Sequence, residues 1–274
     1  CRKHDITYFA DWGTILGTVR HGGYVPWDDD MDICMKREDY TRFKEAAKTE
    51  LPKDFRIHDY EHQEDHWMFL SRVANSVHIN FEPEHMKQFH NFPYIAGIDI
   101  FVLDYLYKDE QQEKQRCEEV KHIIAVADSI IAGEIAQPVK EANLIQLEQK
   151  YHKNFNRKLD NRHMGIELYR LAEEQMARVP KEESDRMAQI FPWGLLGNRG
   201  QDREYYEKFV RLPFENTTMP VPADYHRILS GKYHDYFKIH KVWSGHDYPY
   251  FEGQRKNLQA VADFKLPEFT FDKA

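Results

Sequence analysis

GTILGTVRHGGYVPWDDDMDICMKREDY, residues 13 to 40, decides how the rest of this chain is read. It joins a small-residue turn, Gly13-Thr14, to a dense run of acids, Asp28, Asp29, Asp30 and Asp32, with Arg20 and His21 between them. Acids crowded at one point repel one another unless water or cations neutralise them. Asp30-Met31-Asp32-Ile33 alternates polar and apolar residues, the pattern of a strand with one working face and one packed face. On such a strand Asp30 and Asp32 project to one side and Met31 and Ile33 to the core, while Asp29 points away. A converging acid pair suits a divalent cation that prefers oxygen ligands, Mg2+ or Mn2+. Beside a turn that approaches phosphate oxygens, this is the equipment of phosphoryl or nucleotidyl transfer. Taken alone, DDDMD reads as a solvated acidic loop. The Gly-Thr turn, Arg20-His21 and the strand alternation reverse that reading.

Upstream, residues 2 to 12 carry mixed charge and then Tyr8, Phe9 and Trp12, the expected end of a helix feeding the turn. The opening CRKHDITYFADWG has no signal-peptide pattern. Thr14 to Arg20 continues as a short helix with Ile15, Leu16 and Val19 inward, and Gly13 lets backbone N–H groups come close to a ligand. Downstream, Arg37 to Thr49 is an amphipathic helix ended by Pro52. Short strands are expected at 55–57, 69–73, 77–81 and 98–104. Asp99 follows Gly97 and lies between two isoleucines, which makes it the third acid of the set; an acid at a strand end can instead cap a helix. Asp28, two positions before Asp30, joins through water.

From Glu110 the pattern changes to helices. Val120, Ile123, Ile124, Ala127, Ile130 and Ile131 fall on one stripe, and helical patterns recur through 140–178. Residues 190–252 are rich in Pro, Gly and aromatics with little periodicity. The expected architecture is α+β: a mixed-sheet catalytic core at 1–108, a helical region at 109–189 and an aromatic-rich region at 190–274 packing on the core. With no internal repeat or low-complexity linker, one continuous structure with a helical insertion is expected.

Composition narrows the classes. Of 274 residues 41% are hydrophobic and 14% aromatic, enough for a packed core rather than disorder. The net charge of −8 argues against broad nucleic-acid binding, so no nucleic-acid partner is expected. A nucleotide substrate is not excluded, because metals bridge its phosphates. No long apolar run marks a transmembrane helix. Cys1, Cys34 and Cys117 are too far apart to form a metal-binding pair and suit reduced thiols in a cytoplasmic protein.

The quoted stretch, followed by GIDIFVLD at 97–104, resembles the LicD family of phosphocholine transferases, relatives of the fukutin-type transferases within the nucleotidyltransferase-fold superfamily. The superfamily pattern falls here on Gly13-Thr14, Asp30-Met31-Asp32 and Asp99. A later echo runs from Pro220 to Tyr225 and from Leu229 to Tyr236. The resemblance implies a nucleotidyltransferase-like core and metal-dependent transfer of phosphocholine from CDP-choline to a sugar hydroxyl on a teichoic acid precursor or other surface glycan, with CMP leaving. Asp30, Asp32 and Asp99 would hold the metal and carry the catalysis, with Asp99 or a neighbour taking the proton. Gly13, Thr14, Arg20, His21, Asp28 and Arg72 would bind substrate. Arg20 and His21 suit phosphate oxygens; Arg72 reads as a phosphate contact or as a structural ion pair. Two departures stand out: Ser71-Arg72 where relatives often carry lysine, and Gly231-Lys232-Tyr233-His234-Asp235 where a tyrosine–glycine–acid order is more typical. Competing readings are transfer of NMP from an NTP to a small alcohol, and a non-catalytic glycan-binding protein.

Other signals are weaker. His58, His62 and His66 recur every four residues, a zinc spacing on a helix, but the stretch has no apolar stripe and reads as solvated. A choline cage is expected among Trp193, Tyr233, Tyr236, Trp243, Tyr248, Tyr250 and Phe251, each of which is also a packing residue. Lys232, Lys238, His240 and Lys241 are either a contact for anionic lipid or polymer phosphate, with peripheral association at the inner face of a membrane, or a solvated basic face.

Overall fold

A computed structural model of the chain describes residues 1–62, 69–241 and 251–261. Its N-terminal part is built from β1 (Phe9–Ala10), α1 (Trp12–Arg20), β2 (Asp32–Lys36), α2 (Arg37–Glu50), β3 (Arg56–His58), β4 (Ser71–Ala74), α3 (Pro83–Gln88) and β5 (Gly97–Tyr105). These strands form a mixed sheet in the order β1-β2-β5-β4-β3. Only β2 and β5 run parallel, with Asp32 opposite Asp99 and Lys36 opposite Leu103. Their apolar residues supply the packed layers: Ile33, Met35, Ile100 and Val102 pack with Tyr40 of α2, while Cys34 and Leu103 pack with Phe9. Cys34 is accordingly a buried core residue.

Two local expectations are overturned. Residues 2 to 12 do not end a helix. Arg2–His4 is a single 3-10 turn, and the chain then extends so that Phe9 and Ala10 pair with Cys34 and Ile33. Burial of Phe9 and Ala10 against the sheet outweighs the weak helical pattern. The strand expected at 77–81 is also absent. Val77 is half exposed, so the alternation has no face to bury. Side chains capture the backbone instead: Ser76 Oγ donates to His78 O, and Asn75 clasps Tyr94 O and Ala96 N.

The helical region comprises α4 (Glu110–Ile131), α5 (Gln137–Tyr151) and α6 (Asn161–Met176). Asp109 and Asp160 cap α4 and α6 by accepting from Gln112 N and His163 N. Val120, Ile123, Ala127 and Ile130 of the expected stripe are fully buried against Leu144, Leu147, Met164, Leu168 and Leu171. Each such aliphatic side chain contributes about 1.5–3 kcal/mol. Arg37 ties this region to the core by bridging Asp104 of β5 and Glu173 of α6. Arg116, wholly buried, donates to the carbonyls of Tyr105 and Met176 at 3.0 Å and pairs with Glu113.

The chain returns to the core before residue 190. β6 (Arg186–Ala188) pairs with the far end of β5, and β7 (Gln201–Asp202) pairs with β6. A hairpin, β8 (Phe209–Phe214) and β9 (Thr217–Pro222), then packs Phe214, Met219 and Val221 on Ala10 and Ile15. Pro213, Pro220 and Pro222 lie inside it, which hides its period in the sequence; an isolated two-stranded ribbon tolerates them. α7 (Tyr225–Tyr233) and α8 (Glu252–Val261) complete the α+β fold. No described helix is long and apolar enough to cross a membrane.

Candidate active site

The site grows from the junction of β1, α1 and β2. Asp11 N donates to Asp32 O at 3.0 Å, closing the turn between them. Its carboxylate caps α1 through Trp12 N at 2.9 Å and also accepts from Gln189 Nε2 and Lys232 Nζ. Trp12 sits at φ 41°, a left-handed conformation that a bulky residue rarely adopts. Its indole is held by Gln189 Oε1 at 3.1 Å and by Lys232 Nζ lying 3.9 Å over the ring. Thr14 is buried, and its hydroxyl accepts from Asp32 N at 2.8 Å. The first acid of β2 is thus fixed by both Asp11 and Thr14.

Gly13 has a specific reason to lack a side chain: a Cβ there would collide with the Asp28 carboxylate, which rests on the first turn of α1. That is the positive end of the helix dipole. The glycine therefore admits an acid of the same chain. Gly97 plays a comparable part on β5, where a Cβ would lie 2.6 Å from Arg72 Cγ. Without it, Arg72 crosses from β4 and forks onto Asp99, Nη2 to Oδ2 at 2.7 Å and Nε to Oδ1. Of the two readings left open for Arg72, the ion pair is the one observed.

Gly13, Arg20, Asp28, Asp30, Asp32 and Asp99 line a single cavity of about 560 Å³. Asp32 and Asp99 come from the paired ends of the parallel strands, and Asp99 N donates to Met31 O at 2.8 Å. Asp30 lies in the loop before β2 and not on the strand, so it reaches the cavity by loop geometry rather than by alternation. Asp29 does not point away from its neighbours: one carboxylate oxygen each of Asp28, Asp29 and Asp30 lies within 4.8 Å of the others. Thr14 stands behind the cavity. His21 is exposed at the end of α1, edge-on to Trp27, and is not part of the lining. Burial and the adjacent Arg20 push its imidazole below the usual histidine range, so at neutral pH it is uncharged. Arg20 donates to Tyr236 O at 2.8 Å and faces the cavity.

The acids carry the electrostatic signature of the site. Burial first, then Asp30, Asp99, Asp11 and Asp28, push the Asp32 carboxyl up to about 9. A carboxyl in that state binds a proton tightly until a cation replaces it. The donor set is oxygen only, which fits a hard divalent ion such as Mg2+ or Mn2+. Trp12, Phe101, Trp193 and Tyr233 form an aromatic wall beside the acids. Burial, with Asp11, Asp32 and Asp28 nearby, holds the Tyr233 phenol well above its ordinary range, so it remains a neutral donor.

Several contributors were not legible in advance. Asp11, Trp12 and Gln189 fall outside the motif, and Lys232 is no surface base: its ammonium is ion-paired to Asp11. Among the expected cage residues, Trp193, Tyr233 and Tyr236 reach the cavity. Phe251 stacks on Tyr94 at 4.6 Å, away from the acids. Trp243, Tyr248 and Tyr250 lie outside the described residues. At the second departure from the family pattern, His234 adopts φ 57°, ψ −110°, a conformation that glycine takes more readily than histidine.

The histidine series does not form a helical zinc face. His58 is on β3, His62 is in the following turn and His66 is outside the described residues. Asp59 there accepts from Glu61 N and His62 N at 3.0 Å and from His62 Nδ1, which is turn capping. A larger depression of about 1000 Å³ opens beside it between α2, β3 and α6. Its lining includes Asp59, Glu61 and His62 but none of Asp30, Asp32 and Asp99.

Residues 5–126 match the family model described as LicD/FKTN/FKRP, nucleotidyltransferase domain. A lipopolysaccharide cholinephosphotransferase, LicD, of Haemophilus influenzae is 24% identical over 254 residues, covering 87% of this chain and 85% of that protein. An uncharacterized protein of Rickettsia typhi is 46% identical over 55 residues, 20% of this chain and 18% of its own length. The family match spans the residues that carry the paired acids on β2 and β5 and the Gly-Thr turn, so residues 5–126 are similar to a LicD-type nucleotidyltransferase domain.

Proposed function

We propose that this chain is a phosphotransferase that moves phosphocholine from CDP-choline to a sugar hydroxyl of a cell-surface glycan and releases CMP. The observation that carries the reading is the register of Asp32 with Asp99 on parallel strands, with Asp30 at the same cavity. Asp30, Asp32 and Asp99 would hold Mg2+ or Mn2+. When bound, the cation supplies neutralisation of the diphosphate and Lewis acidity at phosphorus.

In the transfer, the acceptor oxygen bonds to the choline-bearing phosphorus, and the bond from that phosphorus to the bridging oxygen breaks. CMP leaves with that oxygen and the bond's electron pair. A carboxylate of the acid set takes the acceptor's proton. Arg20, which lines the same cavity, hydrogen-bonds phosphate oxygens. Arg72 aims Asp99 through its two-pronged contact, acting as a positioning residue, while Asp11 and Thr14 hold the start of β2. The trimethylammonium group rests on aromatic faces, for which Trp193 and Tyr233 are available. The acceptor is a saccharide hydroxyl, on a teichoic acid precursor or on a lipopolysaccharide such as the Haemophilus relative's name specifies. We assign the reaction to the cytoplasm.

Incubation with CDP-choline, Mg2+ and a glycan acceptor should release CMP with matching label transfer from choline-labelled donor. Pyrophosphate released from CTP, with no CMP from CDP-choline, would instead assign nucleotidyl transfer to the same acids. Failure to bind CDP-choline with Mg2+ would favour a non-catalytic glycan binder.

A further inference from the structure

Residues 237–241, Phe-Lys-Ile-His-Lys, follow α7 and are exposed throughout. Phe237 is 61% and Ile239 57% exposed, and the segment's other three residues, Lys238, His240 and Lys241, are basic. In a chain of net charge −8 this is a local reversal of sign. The segment is anchored at its start. Tyr236 is buried, stacks on Phe237 at 4.5 Å, bonds to His226 through its hydroxyl, and accepts from Arg20 through its carbonyl. Lys241 lies 5.3 Å over Trp27. Lys238 and His240 line the mouth of the cavity whose floor holds Asp32 and Asp99. Two exposed apolar side chains beside two lysines is the composition of a surface that enters the headgroup layer of an anionic bilayer.

We propose that Phe237 and Ile239, flanked by Lys238 and Lys241, dock the protein on an anionic lipid surface with the cavity mouth facing the headgroups. Lys232, read from sequence as part of the same basic face, is excluded by its ion pair with Asp11. The inference rests on the transferase reading only for its purpose, access to an acceptor carried on lipid; the docking itself needs no nucleotide.

Co-sedimentation with phosphatidylcholine vesicles, with and without phosphatidylglycerol, tests it directly. The wild-type chain should pellet only with the phosphatidylglycerol vesicles. Each of Lys238→Gln and Lys241→Gln should weaken binding about fivefold and make its loss with salt shallower. Phe237→Ser/Ile239→Ser should abolish pelleting while retaining CMP release with a soluble acceptor and the wild-type circular dichroism spectrum. Ile239→Ser alone serves if the double variant is unstable, since Phe237 also stacks on Tyr236. Wild-type protein that stays in the supernatant, or apolar variants that pellet unchanged, would overturn the proposal. So would a dimer in light scattering that the same serine variants dissociate, because the face would then belong to a second copy. Because the vesicle assay contains no CDP-choline, it fails or succeeds independently of the transfer reaction.

Discussion

Asp32→Asn isolates the electrostatic crowding at the start of β2. The substitution keeps size and shape but removes a titrating group whose pKa stands at about 9 in the folded chain against 3.8 as an unperturbed side chain. Between those values the folded chain holds the proton and the unfolded chain has released it. The unfolded state therefore binds fewer protons, and the stability of the cation-free protein falls as pH rises through that window. Each pH unit is worth about 1.4 kcal/mol, so from pH 5 to pH 7 this group removes at most about 3 kcal/mol. For a chain of this size that is a drop of about 5–10 °C in Tm. Thermal unfolding by circular dichroism in EDTA at the two pH values is the assay. Wild type should lose stability over the interval, Asp32→Asn should lose less by this margin, and the variant should be the more stable at pH 7. Saturating Mg2+ should flatten the wild-type slope, because a bound cation displaces the proton, and should do little for the variant. Equal pH slopes for the two proteins in EDTA would refute the claim that these acids crowd one another. Phosphocholine transfer should be abolished by the same substitution.

Other expectations follow from single contacts. Lys232→Met leaves the buried Asp11 carboxylate without its cation and should destabilise the fold by about 3 kcal/mol in chemical denaturation, with transfer activity falling as the Trp12 turn loosens. Arg72→Ala strands Asp99 and should cost about 1–3 kcal/mol while raising the Mg2+ concentration needed for half-maximal activity; Arg72→Lys keeps the charge but loses the fork, and should recover only part of both. His234→Gly should raise stability by about 1 kcal/mol, read as Tm, because it removes a side chain from φ 57°, ψ −110°.

How much could be read in advance depended on how local each feature is. The acids of residues 28–32 and Asp99 were legible because short alternating runs flanked by small-residue turns announce strands whose ends carry chemistry. The helical stripe of α4 was legible for the same reason: its period lies within one element. What failed was long-range or competed with local chemistry. Asp11 meets Lys232 across 221 positions, and nothing near either residue signals the pairing. β1 exists because Phe9 and Ala10 are drawn onto β2, not because two residues have strand character. The β8–β9 hairpin is masked by its prolines, and the false strand at 77–81 had the right alternation with no buried face to use it. Arg72 was open between two roles because its partner, Asp99, is set by the register of β4 on β5. The placement of Asp30 shows the limit of alternation as an argument. The residue reaches the cavity from a loop, so the right neighbours were expected for a partly wrong reason.

The central claim is that Asp30, Asp32 and Asp99 share one divalent cation that grips the donor's diphosphate. Crystals grown with Mn2+ and CDP-choline, measured at the manganese absorption edge, test it most directly. The account predicts an anomalous peak within bonding distance of carboxylate oxygens from all three residues and of the donor's phosphates. Manganese bound at Asp28, Asp29 and Asp30 alone, at Asp59, Glu61 and His62, or at neither place while the nucleotide is ordered, would contradict it.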